Sequence, residues 1–261
     1  MRLVVLARQV PVNIRFDRIT NTVVREEQDQ QTNPPDLAAL SLALAIKDRV
    51  SADLAVLTMG KPFAAKLLPA AAALGADRLY CVSDPAFAQS DTLATANILA
   101  AAIRRIGGAD MILCGRRSID GETGQVGPQV AVRLGLPCLT DISALEDVTE
   151  TDIRVRRRLE DRVETWRVAL PSLLTCCDRI DGIVHPRIAG ISGLRRARDI
   201  PVSLLSRKDL PDLAGFGPGG SGTRVTGSGV VERSTVVMTG AGRGADTIAA
   251  AIRREREAKT P

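Results

Sequence analysis

The chain has 261 residues, 45% hydrophobic and 25% charged, a composition typical of a globular protein with one main domain. No apolar run approaches the roughly 20 residues needed to span a bilayer, and the apolar start is too short for a secretory leader, so we expect a cytoplasmic protein. The formal net charge of +5 does not indicate nucleic-acid binding, because only 2% of the residues are aromatic and available for base stacking.

Strand and helix signals alternate along the first 140 residues. Short β-rich runs occur at residues 3–6, 54–58, 79–82 and 111–114, and helical patterns lie between them at 37–49, 64–74 and 92–106. This alternation predicts an α/β fold, Rossmann-like, with a parallel sheet and helices on both faces. The unbroken apolar character of the strands fits burial on both sides.

The pattern changes beyond residue 142. Residues 153–158 and 163–168 alternate apolar and polar side chains at their start, which predicts an antiparallel pair, and residues 168–177 predict a buried strand. From Gly215 the chain is rich in glycine and looks too polar and flexible to build a core; a strand at 235–239 and a helix at 246–257 follow. We therefore expect an α/β domain over residues 1–214 and a C-terminal arm over 215–261 that packs on something else.

The most informative segment runs from Cys114 to Pro137 and begins at the carboxyl end of a predicted parallel strand, where open α/β sheets bind ligands. Pro128 is tolerated only in the first turn of a helix, so a helix begins between Thr123 and Pro128. The glycines of the loop allow backbone amides to approach an anion, and a helix start favours phosphate. A capped turn without a ligand is the alternative.

Two further helix starts are predicted at the same edge of the sheet. Residues 32–36 precede the first long helix, where Asn33 or Asp36 could equally be a plain cap, and residues 90–95 precede another. Three polar helix starts that converge on one edge form a better binding site than any one alone.

Catalytic and metal-binding motifs are lacking. The five cysteines (81, 114, 138, 176 and 177) lie mostly in apolar runs and are typical of reduced core thiols, without a CxxC motif. The one histidine, His185, precedes a proline, so acid–base catalysis is poorly supplied. We predict no catalytic residue and no metal; a thiol enzyme built on Cys176-Cys177 is kept as an alternative.

Several segments together resemble the beta subunits of electron transfer flavoproteins in order and spacing. They are residues 5–11, 33–37, 57–60, 74–78, 120–131, 163–165, 170–171 and 185–191, which span about three quarters of the chain. The resemblance implies an adenine-nucleotide-hydrolase-like fold that binds a nucleotide, and a heterodimer with an alpha subunit that holds the electron-transferring FAD. One departure is Val12-Asn13, where the family usually has acidic and hydroxyl residues.

The resemblance also implies a set of site residues. By position it points to Leu6, Asn33, Pro34, Pro35, Asp36, Met59, Asp120, Gly121, Glu122, Thr123, Gly124, Gln125, Val126, Gly127, Pro128, Gln129, Val130 and Ala131. With the helix start Asp91, Thr92 and Thr95 and the neighbouring Ala7, Arg8, Gly60 and Gly115, these are the expected cofactor-binding residues.

Docking onto a partner dehydrogenase or quinone oxidoreductase is implied for the loop over residues 183–199. Ile191 stands at the family's apolar anchor, and Glu164 matches an acid thought to meet the flavin-bearing domain. The other expected docking residues are Pro186, Arg187, Arg195, Arg196 and Arg198. A stand-alone nucleotide sensor of the universal-stress type shares the fold and is the main alternative, although its GxxG…GS phosphate loop is not found.

The nucleotide implied for this subunit is a second FAD or AMP. The loop from Asp120 to Pro128 and residues 20–25 and 90–95 resemble the nitrogen-fixation-linked and electron-bifurcating branch, which favours FAD. Gly121 leaves space for an isoalloxazine, and Arg8 could stabilise its reduced form. In that branch NADH is a possible electron donor, with ferredoxin or flavodoxin a possible acceptor.

Overall fold

The computed structural model describes residues 1–17, 19, 22–24, 26–27, 29–183, 187–226, 244–250 and 253. The chain divides into two compact units, Met1–Thr226 and Gly227–Pro261. Residues 244–250 and 253 of the second unit are helical, within the predicted final helix or just before it. The predicted strand at 235–239 lies outside the described residues, as do Thr20, Asn21, Arg25, His185 and Pro186.

The first unit contains the strands and helices that position the site. In chain order the strands are β1 (Arg2–Leu6), β2 (Gln9–Pro11), β3 (Phe16–Asp17), β4 (Thr22–Val23), β5 (Gln30–Thr32), β6 (Asp53–Met59), β7 (Arg78–Val82), β8 (Met111–Gly115), β9 (Cys138–Val148), β10 (Asp152–Arg158), β11 (Val163–Ala169), β12 (Ser172–Asp181) and β13 (Val202–Leu205). The helices are α1 (Pro34–Lys47), α2 (Leu68–Leu74), α3 (Thr92–Arg105), α4 (Val126–Leu134), α5 (Ile191–Arg196) and α6 (Gly217–Gly220), with 3-10 turns at Pro62–Leu67, Pro85–Phe87 and Arg207–Asp209.

Among the described residues, nine strands form one sheet in the order β11-β10-β9-β12-β8-β1-β6-β7-β13. The pairs from β9 through β12, β8, β1, β6 and β7 to β13 are parallel, whereas β10 pairs antiparallel with both β9 and β11. The predicted parallel sheet and the predicted antiparallel pair are therefore confirmed. Because β1 has β6 on one side and β8 on the other, the carboxyl end of β1 is the point where the strand order reverses.

The core lies on both faces of this sheet. Leu3 and Val5 of β1 pack in the cluster that contains the buried side chains of α1, whereas Val4 and Leu6 pack in the cluster that contains those of α3 and part of α4. This alternation follows from the period of two along a strand. Helices on both faces explain why the central residues of β1, β6 and β8 are mostly apolar and buried.

One local expectation is wrong. A single strand over 168–177 is interrupted, because β11 ends at Ala169 and β12 begins at Ser172; Pro171 has no N–H group to continue a ladder. The segment at 64–74 is helical as predicted, although it begins as a 3-10 turn over Pro62–Leu67 and continues as α2.

The glycine-rich stretch after Gly215 is also more ordered than its composition indicates. Residues up to Thr226 belong to the first compact unit. A Cβ atom on Gly217 would lie 2.5 Å from the carbonyl oxygen of Ala86, and one on Gly220 would lie 2.1 Å from the carbonyl carbon of Gly215. Glycine is required at these positions by close backbone packing. The arm's packing on an alpha subunit stays a prediction.

All five cysteines are free; Cys81, Cys114 and Cys176 are buried, whereas Cys138 is exposed. Within the described ranges, the structure contains no helix long and apolar enough to cross a membrane.

Candidate functional site

A cavity of about 910 Å³ opens at the carboxyl edge of the sheet, beyond the ends of β1, β6 and β8. Its volume is at the upper end of the range for small-molecule sites, and its position is the one at which open α/β sheets bind ligands. The starts of α1, α3 and α4 contribute to its wall, as predicted from the three polar helix starts.

Asn33 and Asp36 join the start of α1 to the loops around it. The Asn33 side-chain amide donates to the carbonyl of Arg117 (3.0 Å), and its oxygen accepts from the N–H of Ile119 (3.1 Å). The Asp36 carboxylate accepts from the N–H of Arg8 (2.8 Å) and from the N–H of Gly115 (2.7 Å). The alternative that either residue is a plain helix cap is not supported. Asn33 occupies the N-cap position of α1 without a side-chain cap hydrogen bond, and the carboxylate of Asp36 accepts from the N–H groups of Arg8 and Gly115 outside the helix.

Burial of Asp36 changes its proton affinity. The carboxyl is only 5% exposed, and removal from water raises its pKa from 3.8 to about 6, although the two backbone N–H donors, Asn33 and Arg8 act in the opposite direction. A carboxylate that loses hydration is costly unless hydrogen bonds replace it. Asp36 therefore holds its proton more tightly than an exposed carboxyl group does.

Arg8 forms an ion pair with Asp120 across the cavity wall. The guanidinium donates to the Asp120 carboxylate at 2.8 Å and 3.2 Å, and the Asp120 side chain is only 1% exposed. This pair ties the loop after β1 to the loop after β8. It also offsets the positive charge of Arg8, whose predicted role toward a reduced flavin stays a prediction.

The loop from Gly115 to α4 combines close packing with a free helix start. Glu122 and Gly124 have positive φ angles of 51° and 63°, and α4 begins at Val126 without a side-chain cap. A Cβ atom on Gly115 would lie 2.5 Å from Pro35 Cβ, and one on Gly127 would lie 2.8 Å from Cys114 Sγ. The uncapped amides at the start of α4 suit an anion.

The start of α3 faces the start of α4. Asp91 caps α3 by accepting from the N–H of Ala94 (2.9 Å). The hydroxyl of Thr92 donates to the side-chain oxygen of Gln125 (3.0 Å), which lies directly before α4. These contacts hold two helix starts side by side at the cavity.

The structure brings most of the predicted cofactor-binding residues together. Those that line the cavity are Leu6, Ala7, Arg8, Asn33, Asp36, Met59, Asp91, Thr92, Thr95, Gly115, Asp120, Gly121, Thr123, Gly124, Gln125, Val126 and Gly127. The predicted residues outside its lining are Pro34, Pro35, Gly60, Glu122, Pro128, Gln129, Val130 and Ala131. In α4 the reason is periodicity, because Val130 and Ala131 are buried against the sheet.

A second group of lining residues was not among the predicted cofactor-binding residues. They are Val23, Leu57, Gln89, Ser90, Leu99, Cys114, Arg116, Arg117, Ser118, Pro218, Thr223, Arg224 and Val225. Cys114, Arg116, Arg117 and Ser118 lie in the segment from Cys114 to Pro137, and Ser90 lies in residues 90–95, so the sequence does indicate their neighbourhood. Residues 218–225 carry no sequence signal for a binding site, because their composition is that of a flexible linker.

Two more cavity arginines face carboxylates. Arg116 lies 3.6 Å from Asp141 and 3.7 Å from Asp178, and Arg117 lies 3.6 Å from Glu122. The site thus combines uncapped amides and partly balanced cations with apolar lining, a set of groups that suits a nucleotide. Among the residues that the structure describes, no cluster of His, Cys, Asp or Glu could hold a metal ion.

The predicted docking residues lie elsewhere, around α5. Ile191 is 72% exposed at the start of this helix. Arg187 is paired with Asp48, and Arg196 donates to the carbonyl of Ala72 (2.6 Å), so both guanidinium groups are engaged within the chain. Arg195 and Arg198 are exposed, and Pro186 is outside the described residues.

Glu164 lies on the edge strand β11, apart from α5. Its carboxylate accepts from the indole N–H of Trp166 (2.8 Å) and from the guanidinium of Arg162 (2.7 Å). These two hydrogen bonds hold the pKa of Glu164 below its ordinary value.

The raised pKa of Asp36 predicts a pH-dependent stability. Because the folded protein holds this proton more tightly than the unfolded chain, ionisation of Asp36 lowers the free energy of unfolding as the pH rises from about 4 to above 6, by roughly 3 kcal/mol. Asp36→Asn removes this pH dependence. The free energy of unfolding of the variant should therefore rise relative to that of the wild type as the pH increases across that window. Denaturant unfolding at several pH values measures the difference.

Asp84→Asn is the matched control, because hydrogen bonds from the backbone of Ala86 and Arg207 hold the pKa of Asp84 below its ordinary value. Its stability difference from the wild type should be constant between pH 5 and 7. A constant difference for Asp36→Asn as well would contradict the prediction.

Comparison with known proteins identifies the family. A family model described as "Electron transfer flavoprotein domain" matches residues 20–206. The chain is 39% identical to "Protein FixA" of Azorhizobium caulinodans over 97% of this chain and 94% of that protein. It is 37% identical to "Electron transfer flavoprotein subunit beta" of Thermoanaerobacterium thermosaccharolyticum over 92% and 93%. It is 38% identical to "Caffeyl-CoA reductase-Etf complex subunit CarD" of Acetobacterium woodii over 83% of each chain.

The matched region includes β6 to β13 and most of the cavity wall. The lining residues outside it lie at the end of β1 and within residues 217–225. Together with the mostly parallel sheet flanked by helices, these matches show that the chain belongs to the electron transfer flavoprotein family, as a relative of its beta subunits and of the FixA proteins.

Proposed function

We propose that this chain is the beta subunit of a heterodimeric electron transfer flavoprotein and that its cavity binds an adenine nucleotide. The observation that carries the proposal is the convergence of three helix starts and several arginines on one cavity at the strand-order reversal beside β1. Helix starts and arginines bind phosphate, and apolar lining accepts a flat ring. An alpha subunit that holds the electron-transferring FAD completes the complex.

Different residues of the cavity suit different parts of a nucleotide. The amides around Gly124 to Val126 and the guanidinium of Arg117 suit the phosphates, whereas Leu57, Met59 and Leu99 offer apolar contact to a ring. The loops that carry these groups are held by Asn33, Asp36 and Asp120 rather than by the ligand itself. Binding to such a prearranged site loses little conformational entropy.

We propose FAD rather than AMP as the nucleotide of this subunit. The cavity of about 910 Å³ is large for AMP, which has fewer than half the heavy atoms of FAD. The similarity to FixA and to a subunit of a caffeyl-CoA reductase-Etf complex is consistent with the same branch. A bound flavin would supply redox chemistry that the side chains of this subunit lack.

The electron partners follow from the same proposal. A relative whose name places it in a reductase–Etf complex supports a dehydrogenase, reductase or quinone oxidoreductase as the partner here. With FAD in both subunits, we propose NADH as the donor of two electrons. One electron passes to ferredoxin or flavodoxin as a low-potential acceptor and the other to a high-potential acceptor, as electron bifurcation requires.

The alternatives from the sequence are less well supported. A stand-alone sensor of the universal-stress type would belong to another family, whereas the electron transfer flavoprotein model covers residues 20–206. A thiol enzyme needs an accessible thiolate, but burial raises the pKa of Cys176 far above its ordinary value and also raises that of Cys177.

Docking through α5 is a further part of the proposal. Ile191, Ile188 and Leu194 are 72%, 93% and 55% exposed and form an apolar surface at this helix. The ties of Arg187 to Asp48 and of Arg196 to Ala72 hold that surface in place, and the exposed Arg195 and Arg198 are placed to steer an acidic partner. We propose Ile191 as the anchor and Glu164 as a contact of the flavin-bearing domain.

Cofactor stoichiometry tests the identity of the nucleotide. The chain is co-expressed with the alpha subunit, the purified heterodimer is denatured, and the released FAD and AMP are separated and quantified. We expect two FAD per heterodimer and no AMP. One FAD with one AMP would contradict the choice of FAD, and one FAD with no second nucleotide would contradict nucleotide binding by this subunit.

Ile191→Ala tests the docking surface. Removal of an exposed apolar anchor should slow electron transfer to the partner at limiting partner concentration about tenfold, with flavin content and stability unchanged. Leu204→Ala is the control, because Leu204 is 61% exposed on the edge strand β13. Equal rates for the wild type and Ile191→Ala would show that the docking assignment is wrong.

A further inference from the structure

Part of the cavity wall lies beyond the region that the family model matches. The match to the family model ends at residue 206, yet Pro218, Thr223, Arg224 and Val225 line the same cavity as the loops after β1 and β8. We call residues 217–225 the strap. It runs from α6 along the start of α3 to the mouth of the cavity.

Asp91 fastens the strap to α3. One carboxylate oxygen caps the helix at the N–H of Ala94, and the other accepts from the N–H of Thr223 (2.8 Å) and from its hydroxyl (2.9 Å). The backbone N–H of Asp91 in turn donates to the hydroxyl of Ser221 (2.9 Å). A single side chain therefore starts the helix and holds the strap.

The ionisation of Asp91 fits this double role. Partial burial disfavours its charge, but the N–H groups of Ala94 and Thr223 and the hydroxyl of Thr223 more than offset this, so its pKa lies below the ordinary value. The carboxylate is consequently charged at neutral pH, and its hydrogen bonds to the strap are of the stronger, charge-assisted kind.

Further hydrogen bonds fix the beginning of the strap. The N–H of Gly217 donates to the hydroxyl of Ser90 (3.0 Å), and the side-chain amide of Asn97 donates to the carbonyl of Gly215 (2.8 Å). The Ser221 hydroxyl donates to the carbonyl of Gly217 (2.8 Å). The path of the strap is thus set by α3 and by the turn before it.

The strap brings a further arginine, Arg224, to the cavity, and its pairing differs from that of the other three. Arg8, Arg116 and Arg117 each lie within 4.0 Å of a carboxylate. Arg224 forms no ion pair with a carboxylate in the described part of the chain, and it is exposed at the cavity mouth. Its charge is therefore available to an anionic ligand.

We propose that the strap is part of the nucleotide site, with Arg224 binding a phosphate of the adenine nucleotide and Asp91 acting as the positioning residue that holds Arg224 there. The inference rests on the proposed nucleotide binding and adds a recognition element outside the family domain. Val225, which is 61% exposed beside Arg224, would be covered by the same ligand.

The test compares nucleotide affinity in the heterodimer after its bound nucleotides have been removed. Calorimetric titration with AMP and with FAD should show about tenfold weaker binding for Arg224→Gln, the loss expected for an exposed charge-assisted contact. Arg224→Lys keeps the charge and should recover part of the affinity. Asp91→Asn places an amide group against the N–H of Thr223 and should weaken binding several-fold.

Hydrogen exchange supplies a readout that a change in overall stability would not reproduce. Addition of AMP or FAD should slow exchange of the backbone amides at residues 217–225 in the wild type and much less in Asp91→Asn. If Asp91→Asn fails to fold, Thr223→Val removes one hydrogen bond to the same carboxylate and leaves the cap of α3 intact. It should reduce affinity and protection in the same direction.

Two controls match the variants. Asp84→Asn removes a carboxylate that also caps a helical turn and holds a distant residue, Arg207, but lies outside the cavity lining. Arg49→Gln removes an exposed arginine that also lies outside it. Both should bind AMP and FAD as the wild type does.

The outcomes separate the two levels of inference. Wild-type binding of AMP or FAD together with unchanged affinity in Arg224→Gln and Asp91→Asn would overturn the role of the strap and leave nucleotide binding intact. A wild-type protein that binds neither AMP nor FAD would overturn both.

Discussion

The cavity depends on the attachment of the start of α1 to the loops after β1 and β8. Asn33 makes two hydrogen bonds to the loop after β8, and the Asp36 carboxylate accepts the N–H groups of Arg8 and Gly115. Both side chains are buried, so loss of either partner would leave a polar group without water. These hydrogen bonds fix the positions of the start of α1 and of the loops after β1 and β8, which form part of the cavity wall.

The same attachment explains the chemistry available at the site. The start of α4 and several arginines line the same cavity, whereas the buried carboxylates of Asp36 and Asp120 are engaged by groups of the protein itself. Asp120 balances Arg8, and Asp36 fixes two backbone segments. A site of this kind suits an anionic ligand, in line with the nucleotide binding proposed above.

Sequence patterns predicted the sheet, the flanking helices and the location of the site, because apolar runs and helix starts are local signals. They could not predict what Asn33 and Asp36 bind, since their partners near Gly115 and Ile119 lie about 80 residues away in the chain. The strap was missed for a different physical reason. Its glycines are typical of a flexible linker, but Gly217 and Gly220 allow close backbone contacts that no other residue would permit.

The most direct test of the account is the nucleotide affinity of Asn33→Ala in the heterodimer. The substitution removes both side-chain bonds to the loop after β8 without removing any arginine or any backbone amide of the site. If prearrangement by Asn33 makes the cavity a nucleotide site, binding of AMP and of FAD should weaken by at least about tenfold while the heterodimer still forms. Unchanged affinity for both nucleotides would contradict the account.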